Sequence, residues 1–151
     1  MGAKLGFITQ ETDDAKLIEK LLALMQTHKA DFTNTFRSLS DETAPTSGLF
    51  IHEEGKAWHT QWKSRLKRQP QPLGDVIALM KSKNPVIIPR NHKVEQALAA
   101  ATVNGDLSLF EKLLQALSHP YEDSPQYAEF HLPPKPEEEV HATFCGTWKL
   151  I

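Results

Sequence analysis

The sequence predicts an all-α protein of about six helices, followed by an irregular, proline-rich C-terminal tail. Apolar residues recur with a helical period in several segments, residues typical of helix ends flank those segments, and no segment alternates as a strand does. Five of the ten prolines lie between positions 120 and 136, where helical periodicity stops. We therefore expect a helical module over residues 1–120 and an extended tail over 121–151.

The segment TDDAKLIEKLLALMQ predicts the first helix. Its apolar residues fall mostly at i, i+1, i+4, i+5 and i+8, which is one face of a helix. Asp13 and Asp14 place negative charge at its N-terminus, where the helix dipole favours it. A shorter second helix is expected after Asp31, which suits the N-cap, with Phe32, Phe36 and Leu39 on one side.

The third helix is predicted by EEGKAWHTQWKSRLKRQ, in which Trp58, Trp62 and Leu66 are four residues apart. This spacing favours packing of the two indoles against another helix, although a base-stacking platform is the alternative. The sequence QPQP ends this helix. A short fourth helix, centred on VIALM, ends before Asn84 and Pro85.

The apolar segment PVIIP is bracketed by prolines, so we expect it to cross a helical surface rather than join a sheet. A fifth helix is expected with Asn91 as N-cap and Gly105 in the left-handed position after its end. Asp106 or Ser108 would cap a sixth helix, and Ser108 with Glu111 would form a capping box.

The predicted core residues share large apolar side chains on the inner faces of these helices. They are Leu17, Leu21, Phe36, Trp58, Trp62, Leu98, Phe110, Leu113 and Leu117.

The composition excludes some classes of partner. A net charge of −2 gives no long-range field that would attract nucleic acid or an anionic membrane. No apolar run approaches the roughly 20 residues that a membrane span needs. A single cysteine cannot form an internal disulfide, so a reducing compartment, and hence the cytoplasm, is expected. For the basic cluster KSRLKR, a solvated helix end is favoured over phosphate binding.

No catalytic constellation is visible in the sequence. The seven glycines form neither G-x-G-x-x-G nor a Walker A loop, and no H-R-D or D-F-G triplet occurs. We predict no catalytic and no nucleotide-binding residue in this chain. His131, His141 and Cys145, with the acidic run at 137–139, could hold zinc in principle. Their spacing matches no established zinc motif, so no metal site is predicted.

The chain's only cysteine, Cys145, lies in the tail EEEVHATFCGTWKLI. A thiol in a flexible, exposed segment can be attacked or oxidised. From the residues alone, an inert cysteine is the favoured interpretation, and a redox role is the alternative.

Several motifs, in order, resemble the C-terminal region of the selenoprotein O family, also called YdiU. They are AKLGF, DFTNTFRSLS, WKSRL, NPVIIPRNHKVEQALAAATVNGDLSLFEKLLQALSHPY and FCGT. The resemblance covers about residues 3–147 and is most specific over residues 84–121, whereas the final WKLI departs from it.

The resemblance implies a parent protein with a kinase-like pseudokinase fold that transfers AMP from ATP to hydroxyl side chains of target proteins, using Mg²⁺. It implies that this chain is the helical part that packs on the kinase-like core, that the nucleotide site lies upstream of it, and that the isolated chain is inactive. Cys145 in FCGT matches the position of the family's C-terminal selenocysteine or cysteine. A regulatory redox role, such as a bond to a cysteine in the kinase-like part, is therefore implied.

A different class of protein remains as the alternative. The chain could be a free-standing α-helical interaction domain that binds a protein partner through its Trp and Phe face, without enzymatic activity.

Overall fold

A computed structural model describes residues 1–41, 45 and 47–140, and over these residues the chain is helical without strands. Its α-helices are α1 (Asp14–Thr27), α2 (Phe32–Ser38), α3 (Glu53–Leu66), α4 (Leu73–Lys83), α5 (Asn91–Asn104) and α6 (Ser108–Ser118). Short 3-10 helices cover Gly2–Leu5, Gly48–Ile51, Pro125–Phe130 and Pro136–Glu138. The prediction of an all-α fold with about six helices and an irregular C-terminal part is confirmed.

The chain divides into two compact units. The first unit, residues 1–86, contains α1 to α4 and the two N-terminal 3-10 helices. The second unit, residues 87–151, contains α5, α6 and the proline-rich segment.

The core of the first unit is built around α3. Trp58 and Trp62 are buried, and their rings stack with centroids 6.1 Å apart. The indole N–H of Trp58 donates to the carbonyl of Leu17 over 2.8 Å, and that of Trp62 donates to the carbonyl of Leu5 over 2.9 Å. Both indoles are thus satisfied inside the core, as expected for buried tryptophans. This confirms packing and excludes the base-stacking interpretation.

Two helix-end predictions are confirmed. Asp31 caps α2, since its side chain accepts a hydrogen bond from the N–H of Asn34 over 2.8 Å. Gly105 follows α5 with φ of 66°, in the left-handed region that favours glycine.

The N-caps of α5 and α6 differ from the prediction. Asn91 is the first helical residue of α5, and Arg90 takes the N-cap position without a side-chain cap. Ser108 is likewise the first residue of α6, so the capping box with Glu111 does not form. The N–H of Ser108 instead donates to Asp106 Oδ1 over 2.9 Å. A short Asx turn therefore satisfies this helix start.

The second unit buries a smaller apolar set. Ala97, Leu113, Ala116 and Phe130 are buried, together with Ile87, whose N–H donates to the carbonyl of Pro120 over 3.1 Å. The proline-rich segment thus contributes one core residue, Phe130, through its 3-10 turn.

The core prediction is wrong for Leu98 and Phe110, which are 43% and 38% exposed. The apolar face of α6 is wider than the area that α5 and the 3-10 helix Pro125–Phe130 cover. Helical periodicity identifies an apolar face, but it cannot say how much of that face a neighbour covers.

No helix within the described residues is long and apolar enough to cross a membrane.

Candidate functional site

A buried ion network joins the start of α1 to the end of α3. Arg65 is only 2% exposed, and its Nε and Nη2 donate to the two carboxylate oxygens of Asp14 over 2.6 and 3.0 Å. Nη2 also donates to the carbonyl of Thr9 over 2.7 Å, and Glu11 lies 3.2 Å from Nη1. The hydrogen bond from Arg65 lowers the pKa of Asp14, against the opposing effect of burial.

The expectation of a solvated basic cluster is therefore wrong for Arg65 and correct only for its neighbours. Lys63, Lys67 and Arg68 are exposed, although Arg68 pairs with Glu11 over 2.6 Å. A signal for burial was present in the sequence, because Arg65 lies seven residues after Trp58 and thus on the same helix face.

Asn84 holds the end of α4 against two other elements. It is buried, and its side-chain amide donates to the carbonyl of Lys4 over 2.8 Å and to that of Phe36 over 3.2 Å. Asn84, at the start of the family-like block, thus has a structural function in the first unit.

The histidines at the N-cap and in the middle of α3, His52 and His59, have different surroundings. His52 precedes the helix and stacks on His28, with ring centroids 4.0 Å apart. His59 instead lies 5.2 Å from the ring of Trp62, and burial, together with the charge of Lys63, lowers its pKa. Within the described residues, no group of three His, Cys, Asp or Glu side chains could hold a metal ion.

The base of the C-terminal tail is fixed within the second unit. An open cavity of about 420 Å³ lies beside the N-terminus of α5 and is lined by residues 88–92, Pro134 and residues 138–140. Glu138 accepts hydrogen bonds from Gln96 Nε2 over 3.4 Å and from the N–H of Lys135 over 3.0 Å.

Arg90 and His92 lie in the same region. Arg90 Nη2 donates to the carbonyl of His131 over 3.0 Å, so this arginine has a structural function. His92 is buried, and burial lowers its pKa despite the opposing charge of Glu138. Hydrogen bonds therefore join the segment from His131 to Glu138 to α5 and its N-cap.

The predicted redox residue, Cys145, lies outside the described residues, as does His141. Of the side chains considered for zinc, the structure describes His131 and the three glutamates at 137–139.

The sequence comparisons define the class of protein to which this chain belongs. The family model described as "Protein adenylyltransferase SelO" matches residues 1–118. The chain belongs to this family of protein nucleotidyltransferases, as the resemblance implied.

Individual relatives extend the match over nearly the whole chain. The protein nucleotidyltransferase YdiU of Bacillus mycoides (strain KBAB4) is 52% identical over 144 residues, which are 95% of this chain and 30% of that protein. The YdiU proteins of Syntrophotalea carbinolica and Rhizobium meliloti are 49% and 51% identical over 97% of this chain. The chain thus spans about 30% of the length of the curated relatives that it matches.

Proposed function

We propose that this chain is the supporting helical region of a protein adenylyltransferase. In the parent reaction, a Ser, Thr or Tyr hydroxyl of a target protein would attack the α-phosphorus of ATP, forming a phosphodiester to AMP and releasing pyrophosphate. ATP and Mg²⁺ would bind to the part of the parent that lies outside this chain. The family match over residues 1–118 is the observation that carries this proposal.

The surface of the second unit supports docking onto the rest of such a parent. We call its large exposed apolar residues on or next to α5 and α6 the α5/α6 apolar face; they are Leu98, Val103, Leu107, Leu109, Phe110 and Leu114. Apolar patches of this kind commonly mark interaction surfaces. The chain spans about 30% of its relatives, and the remaining part, which the resemblance describes as a kinase-like core, would cover this face.

Complementation in trans tests this proposal. The remainder of the parent is expressed without this region, and transfer of labelled AMP from ATP is measured with and without the 151-residue chain. We expect the remainder to lose most of its activity, the chain to have none, and the mixture to regain activity. Full activity of the remainder alone would contradict a supporting role.

Paired variants locate the contact. Phe110→Ser with Leu114→Ser should prevent complementation, because it removes apolar area from the α5/α6 apolar face. Gln115→Ser, which changes an exposed polar residue of the same helix, serves as the matched control. Equal complementation by both would place the contact elsewhere.

The alternative of a free-standing interaction domain loses part of its basis. Trp58 and Trp62, which were to form its binding face, are buried in the first unit. Stable behaviour of the chain without any effect on the parent's AMP transfer would nevertheless favour that alternative.

We also propose that Cys145 has a regulatory redox function in the parent. Its thiol and that of a cysteine outside this chain would form a disulfide, losing two protons and passing two electrons to an oxidant such as oxidised glutathione, which becomes two reduced thiols. In the cytoplasm, the compartment we expect, this disulfide would be transient. The match of FCGT to the family's C-terminal position supports this function.

Peptide mapping without reduction tests it. After oxidation of the parent with oxidised glutathione, mass spectrometry should find Cys145 joined to another cysteine, and native Cys145 should react readily with a maleimide. Cys145→Ser is the control, and it should abolish both signals. A thiol that stays free under oxidation, or that reacts only after unfolding, would make Cys145 a packed structural residue.

A further inference from the structure

The first unit contains a cavity of about 480 Å³ between α3, α4 and the residues that follow α2. Its apolar lining residues are Leu39, Trp62, Leu66, Leu73, Val76, Ile77 and Met80. Most of them are buried, but Leu73 is 63% exposed at the rim. The volume lies within the roughly 300–1,000 Å³ of pockets that hold small organic ligands.

One wall of this cavity is basic. His59 and Lys63 of α3 and Lys67 at its C-cap follow one another at four-residue spacing and line the cavity together. Neither lysine has a hydrogen bond or an ion pair within the part of the chain that the structure describes. Burial lowers the pKa of His59, so the positive charge of this wall lies on the two lysines.

The opposite side of the same basic cluster is neutralised. Arg65 pairs with Asp14, and Arg68 pairs with Glu11. The described lining residues include a single carboxylate, that of Asp41. The cluster therefore presents its uncompensated charge to the cavity rather than to the ion network.

Two glutamines complete the polar lining. Gln69 is satisfied, since it donates to the carbonyl of Gly6 over 2.8 Å and accepts from the N–H of Ile8 over 3.2 Å. The Oε1 atom of Gln71 is buried without a hydrogen-bond partner among the described residues. Such a group normally has a partner, and a side-chain amide can present either its oxygen or its NH₂ to one.

We propose that this cavity binds a small amphipathic carboxylate, such as a medium-chain fatty acid. The acyl chain would lie on the apolar floor, and the carboxylate would bind Lys63 and Lys67 while accepting a hydrogen bond from the Gln71 amide. Nucleic acid does not suit a concave apolar floor. The inference does not depend on the proposed transferase function, because it concerns only residues of the first unit.

Titration of the full 151-residue chain with decanoate tests the proposal. Calorimetry should detect saturable binding at submillimolar to millimolar ligand, and methyl NMR should place the shifts at Ile77 and Met80. Replacing decanoate by octanoate should weaken binding about tenfold, since two fewer methylenes are buried. Octan-1-ol should bind more weakly than octanoate because it lacks the charge.

Charge variants give the matched comparison. Lys63→Gln with Lys67→Gln should weaken decanoate binding about tenfold and leave octan-1-ol binding unchanged. The control, Lys81→Gln with Lys83→Gln, removes the same charge from the same unit at residues that do not line the cavity. All four lysines are exposed, so the variants should fold, and circular dichroism can check this.

Any of four results would overturn the proposal. The first is the absence of decanoate binding at millimolar concentration. The second is equal weakening by the two lysine pairs, which would indicate nonspecific attraction. The third is NMR shifts on the α5/α6 apolar face instead of the cavity. Dependence on the lysines without dependence on chain length would favour an acidic peptide of a protein partner and would also reject the small-molecule assignment.

Discussion

Removing the charge of Asp14 should destabilise the first unit by about 3 kcal/mol. Asp14→Asn keeps the size of the side chain but leaves the guanidinium of Arg65, which is 2% exposed, without its bidentate carboxylate. Loss of one partner from a buried ion pair typically costs about 3–5 kcal/mol. The lower end applies here because Glu11, 3.2 Å from Nη1, and the carbonyl of Thr9 remain.

The matched control is Asp13→Asn. Asp13 pairs with Lys16 over 3.1 Å on the exposed surface of α1, where such a pair contributes less than about 0.5 kcal/mol. The two substitutions are therefore chemically identical and adjacent in sequence, and they differ in the burial of the partner cation.

Urea denaturation followed by tryptophan fluorescence measures the effect. Trp58 and Trp62 report on the core of the first unit, and a Trp148→Phe background removes the signal of the third tryptophan. For Asp14→Asn, the urea concentration at the midpoint should fall, while the slope of the unfolding free energy against urea concentration stays the same. For Asp13→Asn, the midpoint should barely move. Equal effects, or a loss below about 0.5 kcal/mol for Asp14→Asn, would refute the assignment of a stabilising buried network.

The pH dependence provides a second readout. The hydrogen bond from Arg65 lowers the pKa of Asp14 in the folded state. A carboxyl group of this kind stabilises the fold above its unfolded pKa of about 3.9, and this contribution is lost as the pH falls through the folded pKa. The difference between the wild type and Asp14→Asn should therefore shrink in acid.

Two further predictions concern the packing of the first unit and are checked by the same denaturation assay. Trp62→Ala should cost about 3–5 kcal/mol because it empties a buried position, and a loss below about 0.5 kcal/mol would place the indole on the surface. Gly6→Ala should destabilise by more than Gly105→Ala, although both glycines have positive φ (77° and 66°). A Cβ at Gly6 would lie 2.5 Å from Val76 Cγ1 and 2.9 Å from Met80 Sδ, whereas at Gly105 no described atom lies within 4 Å. Equal losses of stability in the two variants would show that the strain of a positive φ, and not the contact of the added Cβ, decides the cost.

Much of the fold could be predicted from the sequence because its signals are local. The four-residue spacing of Trp58 and Trp62 marked a buried face, and Asp31 and Gly105 marked helix ends through their own side-chain chemistry. These features depend on the residues within one or two turns. Element type and order follow from them without any knowledge of the tertiary neighbours.

Features that depend on distant partners were missed. The burial of Arg65 requires Asp14, which lies 51 positions earlier in the sequence, and no local pattern specifies that pairing. The exposure of Leu98 and Phe110 depends equally on what lies opposite them. The cavity of the first unit was missed for the same reason, since its lining residues come from α3, α4 and the segment after α2.

The two units differ in how many of their apolar side chains they bury, and this difference bears on the proposed function. Thirteen of the buried apolar side chains among the described residues belong to the first unit and five to the second. Leu107, Phe110 and Leu114 lie at i, i+3 and i+7 and are all at least 38% exposed, so a continuous stripe of α6 remains in contact with water. Exposing such a stripe is unfavourable by about 25 cal/mol per Å² relative to burying it. Under the proposed function, the rest of the parent would cover this stripe, and the second unit would need fewer buried apolar residues of its own.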